Sequence, residues 1–146
     1  MENDEIQLIE KKKRSLKRYK KNRACIERLN FKLVQYDEKM TSVKSPNFSG
    51  MPRGGTPITI ADQISDKIEL EERIKRLTEK GQVLRAEILE ELDTLDDPKE
   101  VEVLELFFID CLEIPEIADV VGFTERHIYR LYSQGVTKLA LSEKDQ

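Results

Sequence analysis

Along residues 4–40 the apolar side chains recur at helical spacing among polar and charged ones. Ile26, Leu29, Leu33, Tyr36 and Met40 follow intervals of 3, 4, 3 and 4, a heptad seam. Ile9, Leu16 and Tyr19 extend the stripe upstream more loosely. No Gly or Pro interrupts it, so one long helix is predicted. Residues 41–61, TSVKSPNFSGMPRGGTPITIA, hold three Pro, three Gly and three Ser and break the pattern. This segment is too punctuated for a helix and too irregular for a strand, and reads as a linker. Its apolar Phe48, Met51, Ile58 and Ile60 are expected to dock on the flanking helices. Asp62 then caps a second long helix over 63–94, where Leu70, Ile74, Leu77, Leu84 and Ile88 form another seam. Gly81 takes the missing core position of that seam. Either a neighbouring helix approaches closely there, or the glycine is a defect costing about 1 kcal/mol of helix propensity. Two such helices predict an antiparallel hairpin, a dimeric coiled coil, or both, with Ile26, Leu33, Leu77 and Leu84 buried in the seam.

Beyond Leu95-Asp96-Asp97-Pro98 the helical runs become short. Pro98 suits a first helical turn, where a missing N–H costs nothing, and Asp97 suits its cap. Val101, Leu104, Phe107, Phe108 and Cys111 are the expected core face of that helix. Residues 114–133, IPEIADVVGFTERHIYRLYS, then fit a helix-turn-helix, with Ile117, Ala118, Val121, Gly122, Phe123, Ile128 and Leu131 in its core and turn positions. Pro115 opens the first helix, and Ala118 is small where the second helix crosses. Gly122 supplies the positive φ of a tight turn, and Thr124 caps the second helix. Glu125, Arg126, Tyr129 and Arg130 are left facing outward on the N-terminal half of a recognition helix spanning 124–141, the half that enters a major groove. The division expected is helical arms over 1–95 and a DNA-binding domain over 96–146.

Charge changes this picture. The chain of 146 residues has 25 Lys and Arg against 29 Asp and Glu, a net of −4. Residues 1–40 carry +5, residues 41–95 carry −2 and residues 96–146 carry −7. Nine of the thirteen residues in KKKRSLKRYKKNR, 11–23, are cationic. A domain at −7 is repelled by DNA at long range, so the sequence-independent attraction to phosphate must come from elsewhere in the chain. Lys11, Lys13, Arg14, Lys17, Arg18, Lys20 and Lys21 are the expected phosphate contacts, with Leu16 and Tyr19 forming the packed face. The competing reading is a solvated helix that balances the Glu-rich residues 69–91.

EIADVVGFTERHIYRLYSQGVTKL resembles the fourth region of bacterial sigma factors, in which a recognition helix follows a Thr or Ser cap and ends in an Ala-Leu-x-Lys-Leu-like run. Here that run is Gly135-Val136-Thr137-Lys138-Leu139, and Gly135 in place of a helix former implies looser last turns. The resemblance implies that Glu125, Arg126, Tyr129 and Arg130 read bases and that His127 lies near the phosphates. The outward set is less basic than in sigma factors, so no target sequence carries over. Across nearly the whole chain, two arms, the linker SPNFSGMPRGG and a C-terminal sigma-like helix-turn-helix are similar to small phage and prophage proteins in the style of the RinA and ArpU late-gene regulators. The resemblance implies an all-α fold: long antiparallel helical hairpin or coiled-coil arms, then a small sigma-like helix-turn-helix domain. It also implies a sequence-specific transcription regulator acting on double-stranded DNA, possible contact with host RNA polymerase, and a homodimer formed through the arms.

Enzyme chemistry is not expected. His127 is the sole histidine, and Cys25, Cys111 and His127 have no metal-ligand spacing. Gly54-Gly55 lacks the following Lys-Ser/Thr of a phosphate loop. Glu90, Glu91, Asp93, Asp96 and Asp97 read as solvated or capping carboxylates. No cofactor is expected, and both cysteines read as reduced core residues. No stretch of 18 apolar residues exists and the N-terminal residues are acidic and polar, so a location in the bacterial host cytoplasm is expected. Two other readings remain. A small terminase-like packaging subunit also joins a helix-turn-helix to helical oligomerisation segments, and an acidic adaptor would bind polymerase and read no DNA.

Overall fold

A computed structural model describes residues 2–42 and 60–142 of the chain. The described residues are all-helical: α1 (Glu2–Leu16), α2 (Arg18–Ser42), α3 (Ile60–Leu92), α4 (Pro98–Phe108), α5 (Ile114–Val121) and α6 (Glu125–Ser142). They form two compact units, Met1–Asn22 with Gly81–Gln146, and Arg23–Lys80. The boundary expected from the sequence falls at 95/96, where composition changes. Packing follows another line, because the first helix and the last turns of α3 bury their apolar faces among the C-terminal helices.

In the larger unit α1 and α4 both pack against α6, and α5 lies against α4 and α6. Leu16, Ile88, Leu92, Leu104, Phe108, Ile117, Ile128 and Val136 are sealed from solvent in one cluster. Full burial of a side chain of this size contributes about 1.5–3 kcal/mol, so this cluster is the main source of the unit's stability. Two charged groups are buried with it. Glu100 is 0% exposed and accepts two hydrogen bonds from Lys138 Nζ, at 2.6 and 2.9 Å. That hydrogen bond raises the Lys138 pKa above its ordinary value. Lys12 is likewise buried and donates to Glu91. Both pairs keep a buried charge from standing alone, which is the expensive arrangement.

Several local expectations hold. Asp97 accepts from Lys99 N at 2.9 Å and Pro98 opens α4. Gly122 has φ +78°, and Thr124 Oγ1 accepts from His127 N at 3.2 Å. Others change. The helix predicted over 4–40 is interrupted at Lys17, where the Arg18 side chain donates from Nε to Ser15 O at 2.8 Å. A side chain inserted into the main-chain ladder is a recognised cause of such breaks. Cys111 is not on the core face of α4. It lies beyond the helix end at φ +60°, in a left-handed turn closed by Leu112 N donating to Leu106 O at 3.0 Å. A positive φ is a conformation in which glycine is the usual residue. The buried face of α4 instead uses Glu100, Val103, Leu104 and Phe108, and Val101 and Phe107 are half-buried. Both cysteines are half-buried thiols outside any disulfide, not core residues. Gly135 does not loosen α6, which runs on to Ser142. A Cβ there would stand 2.7 Å from Leu104 Cδ1, so the glycine lets α4 cross α6 at close range. Gly81 also marks a close approach, since a Cβ would collide with the Asn22 carboxamide.

In the Arg23–Lys80 unit Lys67 Nζ of α3 reaches Asp37 Oδ1 of α2 at 2.6 Å. Leu29 is buried, whereas Ile26, Leu33, Tyr36, Leu70, Ile74 and Leu77 are half-buried. Of the four residues expected to be buried in the seam, Leu84 is buried in the larger unit and Ile26, Leu33 and Leu77 are half-buried. Ile60, expected to dock on a neighbouring helix, opens α3 and is 61% exposed. The linker's Phe48, Met51 and Ile58 lie outside the described residues, and so does the side chain of Met40.

Candidate nucleic-acid interface

α6 has two faces with separate tasks. Ile128, Leu131, Tyr132, Gly135, Val136, Leu139 and Ala140 turn inward and are buried. Their spacing locks the helix against α1, α4 and α5 and leaves little freedom to rotate about its axis. The outward residues of the first turns are therefore held in a defined direction. Thr124, Glu125, Arg126, Tyr129 and Arg130 are all exposed there. The chain enters α6 through a short turn whose geometry follows from three residues. Gly122 adopts the left-handed conformation, Gly122 N donates to Ala118 O at 2.9 Å to close α5, and Thr124 caps α6.

His127 is half-buried, with its ring edge-on to Phe123 at 4.8 Å between centroids and 89° between planes. Arg130 Nη2 lies 2.8 Å from His127 Nδ1. With Nδ1 as acceptor, His127 orients the Arg130 guanidinium rather than standing apart as a surface group. Tyr129 is 60% exposed, and its ring lies 6.1 Å from that of Tyr132. Tyr132 in turn contacts Phe107 at 4.9 Å and Phe108 at 5.7 Å. A ladder of rings thus runs from the core to the outward face. Burial, reinforced by Tyr129 and Glu10, raises the Tyr132 pKa above the ordinary phenol value.

Arg126, His127, Tyr129 and Arg130 border a shallow open depression together with Thr124, Ser133 and Gln134. Ser133 and Gln134 were not singled out from the sequence. The signal was available, because they stand one turn beyond Tyr129 and Arg130 and are exposed. Glu125 is exposed on the same first turn but does not border the depression.

The basic segment divides sharply in the fold. Lys12, left out of the expected phosphate contacts, is its buried member and pairs with Glu91. Arg18 is occupied by Ser15 O and stands 3.8 Å from Glu87. Lys20 lies over the Phe107 ring at 3.9 Å, a cation–π contact. Lys13 is 3.5 Å from Glu10 and 6.0 Å from the Tyr132 ring centroid. Leu16 is sealed and Tyr19 packs against the core, as the stripe predicted. Among the described residues no group of three or more His, Cys, Asp or Glu could hold a metal ion, and no helix is long and apolar enough to cross a membrane. No known protein family, curated protein or solved structure matches the chain.

Proposed function

We propose that this protein is a sequence-specific double-stranded-DNA-binding transcription regulator, with α5, the Gly122 turn and α6 acting as a sigma-like helix-turn-helix. The observation that carries the reading is the division of α6. Its inner face is locked into a core, while Thr124, Glu125, Arg126, Tyr129 and Arg130 stand exposed at its start. An α-helix about 10–12 Å across matches a major groove about 12 Å wide. Arg126 and Arg130 suit the paired acceptors of guanine, Glu125 suits the cytosine amino group, and the Tyr129 ring suits a thymine methyl. His127 acts on the bases indirectly, by aiming Arg130. The resemblance to phage late-gene regulators extends the proposal to phage or prophage late genes in a bacterial cytoplasm. Host polymerase is a possible further contact, and the arms are the proposed site of homodimerisation. No step in this function calls for an enzyme active site.

The test is Arg130→Ala, measured on a duplex selected from a random pool by the full-length protein and on a scrambled duplex. Removing a bidentate arginine–base pair should weaken the selected duplex by about 1–3 kcal/mol and relax one base position. Equal losses on both duplexes would reassign Arg130 to a phosphate. Failure of the pool to yield any preferred sequence would remove the reading of α6. Sedimentation is expected to give a dimer, and a large ring would favour a packaging subunit instead.

A further inference from the structure

The nine cations of residues 11–23 differ in what the fold asks of them. Lys12 and Arg18 face acidic residues of α3, Lys20 covers Phe107, and Lys13 has Glu10 beside it. Among the described residues, no ion pair or ring contact engages Lys11, Arg14, Lys17 or Lys21. Their intervals are 3, 3 and 4, which puts all four on one side of a helix. The interruption at Lys17 does not scatter them. Lys17 N donates to Lys13 O and Lys21 N donates to Lys17 O, each at 3.0 Å, so the helical turn continues through the break.

This side lies away from Leu16 and Lys12, which point into the fold. Beside it, Lys13, next to Arg14 and one turn before Lys17, approaches the Tyr132 ring of α6 at 6.0 Å, and Tyr132 neighbours the exposed Tyr129. From Lys11 to Lys21 the stripe is about 15 Å long at about 1.5 Å per residue.

We propose that Lys11, Arg14, Lys17 and Lys21 form a stripe that holds the phosphate backbone of the duplex read by α6. Lys12, Lys13, Arg18 and Lys20 are engaged within the fold. The proposal rests on the reading of α6 for its choice of duplex, and on the unpaired, one-sided row for its choice of residues. It also explains how a C-terminal stretch of net −7 meets a polyanion. The stripe supplies the sequence-independent attraction, and α6 supplies the choice of bases.

The test uses the full-length protein with Lys11, Arg14, Lys17 and Lys21 changed together to Gln. A matched control changes the exposed Lys32, Lys75, Arg76 and Lys80 to Gln. Circular dichroism and a thermal melt establish that both variants remain folded. Affinity for the selected and the scrambled duplex is measured across a range of NaCl concentrations. The stripe variant should lower the slope of log affinity against log salt by about 0.9 for each phosphate it no longer neutralises, with the same fold-loss on both duplexes. The control should leave the slope unchanged. An unchanged slope in the stripe variant, or an equal fall in the control, overturns the stripe. A pool without a preferred sequence but with a stripe-dependent slope would sink the reading of α6 and keep the stripe as a general DNA contact. Absence of any duplex binding by the unaltered protein would end both.

Discussion

Ile88 and Leu92 of α3 are sealed from solvent in the unit formed by Met1–Asn22 and Gly81–Gln146. Leu70, Ile74 and Leu77 of the same α3 seam, in the Arg23–Lys80 unit, stay half-buried. The periodicity of the two stretches is alike; the number of helices around them is not. The larger unit surrounds its core with α1, α4, α5, α6 and the end of α3. Among the described residues, the Arg23–Lys80 unit is built from α2 and α3 alone, and a pair of helices leaves each seam residue with one flank in water. Leu29 is its one fully buried apolar side chain among the described residues, while Phe31, Val34 and Ile68 are exposed. A heptad seam therefore specifies which face is apolar, and the depth of burial depends on how many layers cover it.

The most direct way to break this comparison is a pair of truncations. Phe108→Ala in the sealed core should cost about 3–5 kcal/mol. Leu77→Ala in the half-covered seam should cost about 1–2 kcal/mol, roughly half the value for a buried leucine. Thermal or urea unfolding of the two variants checks this. Equal costs would mean that another helix or a second chain covers the seam in solution, and a dependence of the Leu77→Ala cost on protein concentration would identify the second chain.

Two glycines sharpen the comparison at smaller scale. Gly135→Ala drives a Cβ against Leu104 Cδ1, a sealed side chain with no room to yield. Overpacking of this kind costs about 1–3 kcal/mol, and the gain in helix propensity, about 1 kcal/mol, offsets it only in part. Gly81→Ala meets the end of the Asn22 side chain instead. A side-chain end can rotate away, so the net change should be smaller than at Gly135. The double variant Gly81→Ala with Asn22→Ala should be less destabilised than Gly81→Ala alone when each is measured against its own Asn22 background. A cost at Gly81 equal to that at Gly135 would show that Asn22 is held as rigidly as Leu104.

Much of the candidate site was legible because its signals are local. Gly122, Thr124, Pro98 and Asp97 act through their own backbone or a neighbour two or three residues away, and each performs the expected task. The outward set on α6 followed from the same spacing that marked Ile128 and Leu131 as inward. Ser133 and Gln134 fall one turn past the two that a recognition helix commonly uses, although the outward spacing continues to them. His127 was expected near phosphates. Its hold on Arg130 depends on a ring orientation fixed by Phe123, which spacing does not convey.

By itself the sequence determined the helical class of the described residues, the apolar face of each helix, and the turn chemistry that joins α5 to α6. These depend on contacts within a few residues, and a period of 3.6 records them directly. Only the tertiary structure decided that α1 belongs with the C-terminal helices, that Gly135 admits α4, and that Cys111 lies beyond α4 in a left-handed turn. It also decided which cations of the basic segment contact acidic groups or rings of the fold. Lys12 and Lys11 are adjacent and chemically identical. One is buried against Glu91, 79 residues away, and the other faces solvent. Pairings between residues so distant in the chain depend on how whole helices pack, and the pattern along a single helix carries no record of them.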